Sequence, residues 1–288
     1  MKQNELRVMI IGAHPDDPDI TAGGLAYKFA QCGARVRLVA ICNGSKGHMQ
    51  MKSKEIAIRR YGEAQQAKEI LGVEEYRIFP HEDCEIEVTL AQRMEMTRLI
   101  REFAPHLVFT HRICDYHVDH RTVGTLVMDT SYLLGVPLWC PDVPIPSVMP
   151  AIYFLSDAFR TPSELRPDIL FSIDDVKDTI LNAMNCHQSQ FFEWLAFDKK
   201  IEHEIPSATD LPARKAFMEK YWLVPKKGFD AMRFRSRLEA LYGKDEAAKI
   251  QYVEAFELSE YGYQPTPEEL PNLFPFLKRE VVLAGSSA

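Results

Sequence analysis

Val8-Met9-Ile10-Ile11-Gly12-Ala13-His14-Pro15-Asp16-Asp17 is the stretch on which the fold turns. Its first half belongs to an apolar run, and Leu6–Ile11 reads as a buried strand. A histidine and two adjacent carboxylates follow at once. Parallel sheets present their chemistry at the carboxyl ends of their strands. Charge at that place needs a partner, because an unpaired carboxylate beside a core is costly; a divalent metal is the simplest one. Far along the chain, His106-Leu107-Val108-Phe109-Thr110-His111 is another short apolar strand candidate. It runs into Cys114-Asp115-Tyr116-His117-Val118-Asp119-His120. If the two strands are neighbours, their ends face one crevice that holds His14, Asp16, Asp17, His117, Asp119 and His120. Two histidines and a carboxylate, with one position left for water, form a common catalytic zinc shell.

The chain between these clusters alternates strand and helix signals. Pro18–Gly33 passes from loop chemistry into an amphipathic helix, and Arg35–Cys42 is a second strand. Lys54–Leu71 is a long helix that Gly72 ends. Tyr76–Phe79 is a short strand, Thr89–Phe103 a helix closed by Pro105, and Val118–Leu134 a further helix. This alternation predicts an α/β, Rossmann-like, mostly parallel sheet with helices on both faces. Past Gly135 the prolines at 137, 141, 144, 146 and 150 mark an irregular loop. Ala151–Leu155 and Ile169–Ile173 are further strands, and Asp174-Asp175 opens a helix that runs to about Phe197. From Asp198 the sequence reads as mainly helical and aromatic. The expected organisation is therefore an α/β domain over 1–197 and a C-terminal helical extension over 198–288, packed on that domain or on a neighbouring subunit.

Hydrophobic residues make up 46% of the 288, enough for a sizeable core. The net charge of -7 comes with no basic stripe or arginine-rich arm, which argues against a nucleic-acid partner. The six cysteines form no C-x-x-C pair, the usage of reduced thiols in a cytoplasmic protein. Met1–Glu5 is polar and lacks the apolar region of a signal peptide. No run reaches the length of a membrane span. A cytoplasmic protein without a membrane span is the expectation.

Within the first cluster, Pro15 stiffens the turn, so its neighbours can be aimed in different directions. One carboxylate can then ligate a metal while the other handles protons. Gly23-Gly24 suits close packing of helix on sheet, and no phosphate-binding glycine string is present. His117-Val118-Asp119 also spells the start of a facial iron triad. That motif belongs to all-β jelly rolls, whereas strand and helix alternate here, yet ferrous iron could occupy the same ligands.

Taken together, Ala13-His14-Pro15-Asp16-Asp17, Gly23-Gly24 and His117-x-Asp119-His120 resemble the LmbE/PIG-L family of zinc-dependent N-deacetylases. Asn43-Gly44-x-x-Gly47, Arg60-x-x-Glu63 with Ala67 and Leu71-Gly72, and Ala183-x-x-x-His187-x-Ser189-Gln190 extend the resemblance over 6–192. The chain departs from the family in having Asp19, after Pro18, where Glu is usual. It also reads His81-Glu82-Asp83-Cys84 where Asp-Gly is frequent. The resemblance implies that His14, Asp17 and His120 hold the metal and that Asp16 is the general base. It further implies that His117, oriented by Asp119, stabilises the oxyanion or donates a proton. Arg60, Asp83 and His187 become candidate substrate-binding residues: Arg60 for a phosphate or carboxylate, Asp83 for sugar hydroxyls, His187 as pocket lining or support. The implied reaction removes an acetyl group from an N-acetylglucosamine-type sugar or conjugate, with Zn2+ or Fe2+, in a homo-oligomer. A metal-dependent ester or phosphoester hydrolase, or a sugar-binding protein with a vestigial site, are the alternatives. Intact Asp16 and His117 speak against the last, since holding a metal does not require them.

Overall fold

The computed structural model describes residues 6–277. The polar start at Met1–Glu5 and the terminus from residue 278 lie outside them. Strand β1 is Arg7–Gly12, and Val8 through Gly12 are buried on both faces. A continuous apolar run of this kind suits a parallel strand covered on both sides. Val8 and Ile10 pack into one core with Leu25 and Phe29, whereas Met9 and Ile11 pack into a second with Leu99 and Val123. The period of two along the strand thus divides the interior into two layers.

Helix α1 (Asp17–Gln31), β2 (Arg35–Cys42), α2 (Ser53–Leu71), β3 (Glu75–His81), α3 (Leu90–Phe103), β4 (Leu107–Thr110) and α4 (Val118–Leu133) follow in order. The predicted boundaries have local causes. Gly72 takes the left-handed conformation at φ 66° and returns its N–H to Lys68 O, which ends α2. Thr89 caps α3 by accepting the Gln92 N–H. Strands β5 (Ala151–Leu155), β6 (Ile169–Ser172) and β7 (Val253–Gly262) complete one seven-stranded sheet of order β3-β2-β1-β4-β5-β7-β6. Strands β1 to β5 pair in parallel, and β7 runs antiparallel to both neighbours. The chain leaves β1 for β2 on one side and returns to β4 on the other. The carboxyl ends of β1 and β4 therefore flank the topological switch point, where such sheets open a crevice.

The segment beyond Asp198 is mainly helical, as expected, but it also supplies β7. Phe256 of that strand packs on Phe109 of β4. Phe217, Trp222 and Phe274 share the core of β1. Both sides of residue 197 thus share one sheet and one core. The helix expected from Asp174 to Phe197 is interrupted. Helix α5 (Lys177–Cys186) ends at His187, a π-helical turn covers Ser189–Trp194, and α6 is Leu195–Asp198. Two hydrogen bonds from Ser189 to Glu63 of α2 hold this break in place. Helix α1 is likewise broken at Ala22. The buried carboxylate of Glu254 on β7 accepts the N–H groups of Gly24 and Leu25 there. A Cβ on Gly24 would lie 2.7 Å from Ile173 Cγ2 and 3.1 Å from Glu254 Oε1, so the glycine admits that close approach. Among the described residues no helix is long and apolar enough to cross a membrane.

Candidate active site

Gly12 lets the chain turn sharply after β1. A Cβ there would lie 2.6 Å from Asp17 Cβ and 2.8 Å from Pro18 Cδ, closer than real contacts allow. The turn brings the backbone N–H groups of Ala13 and His14 onto Asp17 Oδ2, at 3.0 and 2.7 Å. Asp17 is the first residue of α1, whose N-terminal dipole also favours a carboxylate. From the other side of the switch point, His117 caps α4, its Nδ1 accepting the Asp119 N–H at 3.2 Å. That cap places Asp119 and His120 in the first turn of α4.

The two clusters meet. His14 Nδ1 lies 3.3 Å and His120 Nε2 3.4 Å from Asp17 Oδ2. The donor atoms of His14, Asp17 and His120 all lie within 4.8 Å of one another. A tetrahedral ion with bonds of about 2.0–2.1 Å needs ligand atoms roughly 3.3–3.4 Å apart, so this donor set fits one divalent metal. Each candidate ligand histidine is also backed by a carboxylate. His14 Nε2 donates to Asp119 Oδ2 at 3.0 Å, and His120 Nδ1 lies 3.2 Å from Asp115 Oδ1. Such pairs fix the tautomer and raise the basicity of a metal-ligating imidazole.

The electrostatics call for a cation. Burial works against a charged His14, yet hydrogen bonds to Asp119 and Asp17 outweigh it and push its pKa up to about 10. Burial would raise the Asp17 pKa, but His120, His111 and His14 together hold it well below the usual carboxylate range. Asp119 is wholly buried, and its Oδ1 has no hydrogen-bond partner. A proton on His14 here occupies the place that a metal's charge would take. His117 differs: burial, then the charges of His14 and His120, lower its pKa. With Nδ1 accepting a backbone N–H, neutral His117 carries its proton on Nε2.

The remaining predicted residues occupy distinct places. Asp16 lines the cavity, and Arg60 Nη2 donates to its Oδ1 at 2.5 Å. The Arg60 side chain is only 2% exposed, so its guanidinium is engaged by Asp16 rather than held out for a substrate anion. Gly44, at φ +78°, closes over it, and a Cβ there would lie 2.5 Å from Arg60 Cδ. Asp83 lines the cavity, but its oxygens accept the N–H groups of Gly44 and Lys46, which shapes the loop after β2. His187 does not reach the cavity. It is wholly buried, and its Nε2 bonds to Asp19, which Tyr76 also approaches. The shorter Asp19 therefore still makes a bond behind the site. The carboxylate of Asp119 contacts His14 rather than His117, whose Nδ1 is 3.8 Å away; its backbone N–H orients His117.

Sequence reasoning missed several contributors. His111, at the end of β4, accepts the Ala13 N–H through Nε2 at 3.1 Å and stacks on His120 at 4.1 Å between centroids. Its place at a strand end beside the second cluster was a usable signal. So was that of Asp115, two residues before His117. Lys226, Phe229 and Asp230 come from the C-terminal segment and had no local signal. All line a cavity of about 480 Å³ over the carboxyl ends of the parallel strands. Its wall also carries Tyr116, Phe159 and Trp194.

Residues 9–131 match the family described as PIG-L, GlcNAc-PI de-N-acetylase. The chain is 29% identical over 192 residues to the diacetylchitobiose deacetylase of Thermococcus kodakarensis, covering 65% of this chain and 71% of that protein. The N,N'-diacetylchitobiose deacetylase of Pyrococcus horikoshii superposes with a TM-score of 0.64 at 21% identity, over 88% of this chain and 83% of that one. The 4-carboxy-2-hydroxymuconate hydratase of Pseudomonas putida KT2440 superposes with a TM-score of 0.65 at 20% identity, over 91% and 97%. At these identities the structures share a fold, and that fold carries more than one chemistry. The matched segment contains both halves of the crevice, and its motifs and the fold around it make this chain a member of the LmbE/PIG-L family.

Proposed function

We propose that this protein is a zinc-dependent hydrolase that removes the acetyl group from an N-acetylglucosamine-type amino sugar or its conjugate. The observation that carries the proposal is the division of labour between adjacent carboxylates. Asp17 is turned by two backbone N–H groups toward the histidines, and Asp16 is turned toward the cavity and steadied by Arg60. The sequence relation to a diacetylchitobiose deacetylase supports the amide as the bond broken. Tyr116, Phe159 and Trp194 on the cavity wall offer apolar faces of the kind on which sugar rings rest.

His14, Asp17 and His120 would hold the ion, which supplies a Lewis acid for the amide carbonyl and acidifies water. Asp16 takes the proton of the attacking water and passes it to the departing amine. Neutral His117 aims its Nε2 proton at the developing oxyanion, and the N-terminus of α4 adds its partial positive charge there. Acetate and a free amino group result. The test is amine release from N-acetylglucosamine conjugates by zinc-loaded protein. Asp16→Ala should lower the rate by ~10²–10⁴-fold with the metal retained. Unaltered release in that variant would remove Asp16 from the chemistry.

A further inference from the structure

Five lysine and arginine side chains line the cavity, and four of them are committed. Lys46 pairs with Glu85, Arg60 with Asp16, and Arg112 with Asp157. Lys227 is buried against α1, where it donates to Thr21 O and lies 3.7 Å from Glu254. Every lining carboxylate also has a hydrogen-bond partner. Lys226 is the exception. Its ammonium makes no hydrogen bond or ion pair with any described residue, and it is exposed within the cavity.

Its placement has a structural cause. Glu219–Gly228 is a π-helical segment of the C-terminal region, and segments of this kind recur at functional sites. Lys227 anchors the segment to the break in α1. That anchor fixes the neighbouring Lys226 over the cavity while leaving its head uncommitted. No carboxylate comes within ion-pairing distance of it, so a gap separates Lys226 from the acid cluster around Asp16 and Asp17. A substrate whose amide lies at the acid cluster would set its far end against Lys226.

We propose that Lys226 is a specificity residue that recognises an anionic group, a carboxylate or phosphate, on the portion of the substrate remote from the scissile amide. This rests on the amino-sugar deacetylase reading and narrows its substrate to acidic conjugates, unlike a neutral disaccharide. A lysine ammonium meets either anion as a point charge.

The test uses an N-acetylglucosamine glycoside of a hydroxy acid, its methyl ester, and a phosphate-bearing glycoside. Zinc-loaded wild type and Lys226→Met are compared by kcat/KM and by calorimetric binding. Wild type should favour one of the anionic glycosides over the ester by about tenfold, the scale of one charge-assisted hydrogen bond. The ratio should fall toward one in Lys226→Met and persist in Lys226→Arg. The anion that shows the effect identifies the group. A wild-type ratio near one, or a ratio that survives in Lys226→Met, would overturn the proposal. If no glycoside releases amine, the deacetylase reading fails, and the binding ratio still decides the role of Lys226.

Discussion

Replacing Asp115 tests whether the second histidine is held for a metal. Asp115 Oδ1 lies 3.2 Å from His120 Nδ1 and accepts the His117 N–H at 2.9 Å. Burial works to raise its pKa, but His120 outweighs it and holds the carboxyl below the usual range, so it is ionised at neutral pH. Loss of such an outer carboxylate costs about 10–100-fold in metal affinity. Asp115→Asn retains a neutral acceptor for the imidazole and should fall near ~10-fold, the weaker end of that range. Asp115→Ala removes the acceptor for both groups and should approach ~100-fold, or ~2.7 kcal/mol. It also leaves the His117 N–H without its turn partner, for about 1 kcal/mol of folding stability. Zinc titration of metal-free protein against a chromophoric chelator measures the first effect, and urea unfolding the second. Wild-type zinc affinity in Asp115→Ala would refute the reasoning, because His120 would then need no carboxylate behind it.

Other substitutions and conditions probe separate links. Gly12→Ala forces a methyl into Asp17 and Pro18; it should lose about 1–3 kcal/mol in urea unfolding and weaken zinc binding in parallel. Glu254→Leu strips the acceptor from the Gly24 and Leu25 N–H groups and leaves buried Lys227 without its carboxylate. A loss of about 3–5 kcal/mol is expected by the same assay. His14 supplies a pH test. Its folded pKa is raised to about 10, so in metal-free protein the stabilisation is complete below the unfolded value near 6.5. It is lost as pH rises through the folded value. Melting temperatures of chelated protein should therefore fall across that window, and zinc loading should abolish this component because a ligating His14 carries no proton. A pH-independent melt of the chelated protein would contradict the assignment.

Much of this was legible in the sequence because the signals were local and physical. An apolar run ending in histidine and carboxylates reads as a strand end with chemistry, and β1 and β4 meet as that reading requires. Strand β7 was not legible. Glu254, Glu257 and Glu260 recur every three residues among good helix formers, so Val253–Gly262 carries a helical signature. Pairing with β5 and β6 on both sides overrides that propensity. The parts of the site drawn from the C-terminal segment were hidden for the same reason. Nothing local says that Lys226 faces Asp16, since the long-range packing of β7 and Lys227 brings it there. Arg60, Asp83 and His187 were correctly singled out as residues of consequence. Their partners within the protein (Asp16, the Gly44 and Lys46 amides, and Asp19) are tertiary facts that spacing does not encode.

Anomalous diffraction from zinc-loaded crystals, recorded on both sides of the zinc edge, addresses the central claim most directly. The account predicts a single peak about 2.0–2.1 Å from a nitrogen of His14, a nitrogen of His120 and an oxygen of Asp17, with the Asp16 carboxylate still on Arg60 and unligated. A peak elsewhere, or one with Asp16 in its coordination sphere, would contradict it.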